Sequence, residues 1–188
     1  LGDVYKRQGI DEPSVFAPTP VSSTLRVLLA EAHLRNWTVV FGDVSAAFLH
    51  ADIGERILVK PPEEWQGPGG ETHHIHAWLL QKAMYGLKGS PRDWMQHVDW
   101  ILTSELGFRQ SKYDATLFIH KSGVRLTKHV DDFVFVGPDD AVKSVIERLQ
   151  TYVLLKVAEP LRVGGPTQIF TGRLITRTVD GFVIKHQP

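Results

Sequence analysis

The chain has no cysteine. That excludes disulfides and every zinc site built on thiolates, and it makes an intracellular setting the simpler expectation. It has no net charge, because 21 Lys and Arg balance 21 Asp and Glu. No whole-chain field therefore draws it toward nucleic acid or an anionic surface, as a strongly basic chain would be drawn. No apolar run approaches the roughly 20 residues of a membrane span. No apolar h-region of a secretory signal is visible at the start of the sequence. Internal repeats and low-complexity tracts are also missing. What is present is 188 residues, 43% of them hydrophobic, enough for one domain with a true core.

The opening residues 1–8, "LGDVYKRQ", carry no periodicity and look like an adapter-derived leader, so the domain is expected over residues 9–188. "VSSTLRVLLAEAHLRN" spaces Leu25, Leu28, Leu29 and Ala32 as one helical face, with Thr19 or Ser22 as its cap. "WTVVFGDV" alternates Trp37, Val39 and Phe41 as a strand that ends near Asp43. "SAAFLHA" reads as a helical turn and "RILVK" as a strand stopped by Pro61 and Pro62. A Pro- and Gly-rich loop over residues 61–77 contains His73, His74 and His76, which lack the acids or cysteines of a metal site at ligand spacing. "SPRDWMQHVDWILTSELGF" is the best-marked helix. Ser90 suits its cap, Pro91 its first turn and Gly107 its end, while Trp94, Val98, Ile101 and Leu102 form its buried stripe. The same spacing assigns Trp100 to the core with Trp94. "DDAVKSVIERLQ" is a helix with acids at its positive end, and the chain closes on a hairpin around Asp180-Gly181. Strands and helices do not alternate as βαβ units, so the fold class is α+β.

Between these elements lies "LTKHVDDFVFVG", with Asp131 and Asp132 side by side between two β-prone apolar runs. Aspartate is a common turn residue, and a plain hairpin tip is one reading. The flanks favour a second. Two carboxylates held together at the rim of a buried sheet repel each other and resist joint ionisation. A divalent cation removes that conflict, and Mg²⁺ takes hard oxygen ligands of this kind. Asp43, at the end of another apolar strand, is available as a third acid if the two strands are neighbours. Such a cluster suits phosphoryl transfer.

Several blocks of the chain resemble the reverse transcriptase of copia-type LTR retrotransposons. They are "GIDEPSVFAPTP", "GDVSAAFLHADI", "MYGLKGSPRDW", "GFRQSKYDATLFI", "HVDDFVFVG" and "FTGRLITRTVDGFVI", and they occur in the family's order. The resemblance runs from Gly9 to Pro188. It implies a right-hand polymerase palm, an antiparallel sheet with helices on one face, plus partial fingers. The thumb and ribonuclease H parts would lie elsewhere in the parent.

The resemblance also implies roles. Asp43 and Asp131 would bind two Mg²⁺ ions (Mn²⁺ as a substitute), supported by Asp132 and the backbone carbonyl of Val44. Phe48 matches a steric gate against the sugar 2′-hydroxyl, although a Phe in an apolar turn is also simply a core residue. Tyr85, Gly86 and Lys88 match the segment lining the nucleotide and template pocket. His129 stands where the family has Tyr, and Gly172 keeps the primer-side position although Thr171 replaces the usual Leu. The implied partners are a primed RNA or DNA template, dNTPs, and the integrase and ribonuclease H of the same Pol polyprotein, with no membrane. The implied setting is a cytoplasmic virus-like particle, and a fragment of this extent is expected to be weakly active or inactive. Two other readings stand beside this one. They are a degenerate or domesticated domain that binds without catalysis, and another palm-fold nucleotidyl transferase.

Overall fold

The computed structural model describes residues 20–62, 64–65 and 77–187. Thr19, the leader and His73, His74 and His76 lie outside the described residues. Helix α1 (Ser22–Leu34) leads into strand β1 (Thr38–Val44) and a 3₁₀ turn (Ala47–His50). A two-stranded ribbon, β2 (Leu58–Val59) with β3 (Trp78–Leu79), precedes helix α2 (Ser90–Trp100). Strands β4 (Arg109–Gln110), β5 (Leu117–Ile119), β6 (Arg125–His129) and β7 (Asp132–Gly137) follow, then helix α3 (Asp139–Leu149). Strands β8 (Leu155–Val157), β9 (Gln168–Phe170), β10 (Arg173–Thr178) and β11 (Gly181–His186) complete the order.

The main sheet has the order β4-β5-β6-β7-β1-β8, and every pairing in it is antiparallel. Strand β1, early in the chain, is inserted between β7 and β8. A second antiparallel sheet, β11-β10-β9, packs beside it. The α+β reading therefore holds.

The expectation of helices on one face is corrected. Strand β7 sends Phe133 and Phe135 into one apolar cluster with Trp94, Val98, Ile101 and Leu102 of α2 and its extension, and with Val142 and Leu149 of α3. It sends Val134 and Val136 into a second cluster with Leu25, Leu28, Leu29 and Ala32 of α1, and with Phe170 and Ile175 of the small sheet. Both faces are covered, so β1 buries Val39, Val40 and Phe41 in succession rather than alternating. Each large apolar side chain taken out of water this way contributes about 1.5–3 kcal/mol.

Helix starts also differ from expectation. No side chain of α1 caps it. Asp114, from the loop before β5, does so from a distance, accepting from Val21 N–H at 3.4 Å and from the Thr24 hydroxyl. Ser90 does not cap α2 either. Its hydroxyl donates to the Met84 carbonyl and accepts from Met84 N–H at 3.0 Å, which ties the preceding loop to the helix. After Trp100 the helix widens into a π turn, with Leu106 N–H bonded to the Ile101 carbonyl, and Gly107 at φ +76° ends it as expected. Trp94 is fully buried, but Trp100 is 51% exposed. Six residues on from Trp94 in a regular helix, Trp100 points about 120° away from it.

Candidate active site

The site forms where β1 meets the β6–β7 hairpin. In the β1–β7 register Asp43 stands opposite Asp132, and on its other side Asp43 stands opposite Lys156 of β8. The Asp131 carbonyl accepts the Val44 N–H at 2.9 Å, which closes the hairpin tip onto the end of β1. Carboxylate oxygens of Asp43, Asp131 and Asp132 all lie within 4.8 Å of one another. The three acids predicted from sequence are therefore brought together.

The turn that does this is unusual. Val130, the residue before the acid pair, has φ +53°. A β-branched side chain in the left-handed region is costly and persists only where neighbours enforce it. The enforcing neighbour is Trp94 of α2, whose Nε1–H donates to the Val130 carbonyl at 2.7 Å. The segment "SPRDW" thus acts as a bracket. Ser90 fixes Met84, Asp93 accepts Gly54 N–H at 2.9 Å and the Arg92 guanidinium at 2.8 Å, and Trp94 fixes the acidic tip.

The three carboxylates crowd one another. Burial, then the charges of Asp131 and Asp43, push the Asp132 carboxyl above the usual carboxylate range, while His129, opposite it in the hairpin register, pulls the other way. Such a group is stabilised by any cation that neutralises its neighbours. The donors are all carboxylate oxygens, the hard set that Mg²⁺ and Mn²⁺ take. His129 Nδ1 is buried and has no hydrogen-bond partner among the described residues.

The remaining predicted residues divide into two groups. Phe48, on the 3₁₀ turn, and Tyr85 are in contact, ring centroids 4.6 Å apart. Gly86 has φ +91°, a conformation that glycine adopts without strain, and Lys88 is exposed in the same loop. Gly172 lies at a two-residue turn where it and Thr171 both have positive φ (+71° and +47°), as a tight β9–β10 hairpin demands. It does not line the cleft beside the acids. The adjoining strand does: Gln168, Ile169 and Phe170 face Asp43, Asp132 and Lys156 across a cleft of about 280 Å³.

Sequence reading missed Lys156. Strand β8 is too short for a periodicity signal, and its place beside β1 depends on Gly42. A Cβ at Gly42 would lie 2.9 Å from Leu155 Cδ1 and 3.2 Å from the Lys156 carbonyl oxygen. The glycine before Asp43 is the one local mark of that close approach.

The family described as reverse transcriptase (RNA-dependent DNA polymerase) matches residues 3–182. The chain is 30% identical over 175 residues to the retrovirus-related Pol polyprotein from transposon TNT 1-94 of Nicotiana tabacum, covering 92% of this chain and 13% of that one. It is 31% identical to that from transposon RE1 of Arabidopsis thaliana, over 71% of this chain and 9% of that one. To the transposon Ty1-ER2 Gag-Pol polyprotein of Saccharomyces cerevisiae it is 29% identical, over 77% and 8% respectively. The chain thus spans a small part of the polyproteins it matches. Among solved structures, telomerase from Candida albicans in complex with a fragment of telomeric RNA is similar over 94% of this chain and 36% of that one. Its identity is 12% and its TM-score 0.46, too distant to bear on the fold.

Proposed function

The chain belongs to the reverse transcriptase (RNA-dependent DNA polymerase) family, and from that premise we propose that it is the palm and part of the fingers of a copia-type enzyme that extends a primer with deoxynucleotides. The observation that carries this reading is the convergence of Asp43, Asp131 and Asp132 on one point at the rim of the main sheet. Asp43 and Asp131, with the Val44 carbonyl, would hold two Mg²⁺ or Mn²⁺ ions, and Asp132 would support them. Bound there, such ions would ease loss of the 3′-hydroxyl proton and offset the negative charge on the departing pyrophosphate.

The protein's own part is positioning. Phe48 and Tyr85 form one aromatic surface, which would pack against the sugar and base of an incoming nucleotide. Lys156, opposite Asp43 and facing the same cleft, brings an ammonium to phosphate oxygens. His129, opposite Asp132 in the hairpin register, would meet the primer side, and Gly172 would act there only through the turn that ends β9. The template would be RNA or DNA, and integrase and ribonuclease H would belong to the rest of the polyprotein. A cytoplasmic particle is the natural setting for such an element. An intact acidic cluster argues against a domain that has lost catalysis, and the "MYGLKGSPRDW" bracket argues against another palm-fold transferase.

Primer extension by the full-length parent polyprotein tests the assignment. Asp43→Asn and Asp131→Asn should each abolish extension on poly(rA)/oligo(dT) with Mg²⁺, and normal extension by either would remove the acids from the reaction. The 188-residue chain by itself should extend poorly or not at all, since template and primer contacts elsewhere in the polyprotein would be missing.

A further inference from the structure

A buried charge lies directly behind the acidic hairpin. Lys128 of β6 is 0% exposed and sits among Phe118, Phe133 and Met95. Its ammonium is 2.8 Å from Asp99 Oδ1, donates to Met95 Sδ at 3.2 Å, and stands 5.6 Å from the Phe118 ring centroid. The approach to Asp99 lies off the hydrogen-bond direction, so the contact is Coulombic. Burial pushes the Lys128 ammonium below the ordinary lysine range and the Asp99 carboxyl above the ordinary aspartate range. In both cases the partner's charge opposes the shift.

Stability alone does not call for this pair. A buried ion pair exchanged for well-packed apolar side chains is often neutral or stabilising. Removing one partner is what destabilises, because the other charge is left buried. The pair's place in the fold points to a different role. Asp99, Met95 and Trp94 are all on or at the face of α2 turned to β6. One helix therefore holds one hairpin twice: at the tip through Trp94 and the Val130 carbonyl, and along the strand through Asp99 and Lys128. A strand slipped by one residue turns its side chains to the opposite face. Lys128 meets its counter-charge only in the observed register.

We propose that Lys128 and Asp99 are positioning residues whose ion pair locks β6 against α2 and thereby sets Asp131 and Asp132 opposite Asp43. The proposal rests on the reading of those acids as metal ligands for one of its two readouts only. The double variant Lys128→Met/Asp99→Leu in the 188-residue chain replaces both charges with apolar side chains, Met close to Lys in size and Leu larger than Asp at a partly exposed position. Its urea midpoint should equal or exceed that of the unaltered chain. Its Trp94 indole N–H should nevertheless exchange about tenfold faster in NMR, as local opening of the tip becomes easier. Its Mn²⁺ Kd, read by electron paramagnetic resonance, should rise by about tenfold, as when an outer partner of a metal site is lost. Lys128→Met alone should move both readouts in the same direction.

Unchanged indole exchange and unchanged Mn²⁺ affinity in the folded double variant would overturn the proposal. So would failure of both variants to fold, which would make the pair a stability element. If the unaltered chain binds no Mn²⁺, the metal reading fails instead, and the indole exchange still decides the positioning role.

Discussion

Two hairpin turns in this molecule solve the same problem differently. The β10–β11 turn reverses the chain at Asp180-Gly181, with glycine at φ +138° and Val179 80% exposed beside it. Its own residues supply the conformation. The β6–β7 turn puts Val130 at φ +53°, where valine is strained, and holds it with Trp94 Nε1 and with Val44 N–H on the next carbonyl. The first turn is local chemistry. The second is imposed by the tertiary structure, and it is where three carboxylates meet. Strain is tolerated at the turn that has something to position.

That contrast can be broken at either turn. The largest effect is expected from Trp94→Phe, which leaves the Val130 carbonyl buried without its donor and removes part of a fully buried ring. It should cost about 2–3 kcal/mol in urea unfolding. A smaller effect is expected from Gly181→Ala, where only backbone strain is at stake because the new Cβ meets nothing closer than His33 at 3.9 Å. About 1 kcal/mol is expected there. If Gly181→Ala proves the costlier of the two, the acidic tip is not held by α2 as described.

The smallest effect is a slope in pH. The Asp132 carboxyl is raised in the fold by burial and by Asp131 and Asp43, so the metal-free folded state favours its protonated form. Its favourable contribution is fully present below the ordinary carboxylate pKa and is lost as pH rises through the raised value. Asp132→Asn should therefore match the unaltered metal-free chain at low pH and exceed its stability above that window. Thermal unfolding in chelator from acid to neutral pH measures this. A steeper loss in the variant would contradict the sign.

The elements were legible wherever periodicity and punctuation agreed. Leu25, Leu28, Leu29 and Ala32 do form the buried face of α1, and Gly107 does end the long helix. The acids were legible as a set because the blocks around them occur in a known order. Other features were not legible because no local signal carries them. Trp100 ends α2 off the face that carries Trp94 and Val98, and is left in solvent. Lys128 sits in a strand where a lysine is ordinarily solvated, and its partner is on a helix earlier in the chain. Lys156 belongs to a strand of three residues whose register is set by β1. No helix among the described residues is long and apolar enough to cross a membrane, in keeping with the absence of long apolar runs.

By itself the sequence determined the helices and the apolar strands, which follow from short-range spacing and turn chemistry that a linear chain records directly. The grouping of Asp43 with Asp131 and Asp132 was implied by the resemblance of the blocks around them and not by spacing. Only the tertiary structure decided that β1 lies between β7 and β8, that helices cover both faces of the sheet, and that a tryptophan and a buried ion pair on α2 hold the acidic tip in place. Those outcomes depend on contacts between residues far apart in the chain, where burial changes what a charge costs and which conformation a valine is made to adopt.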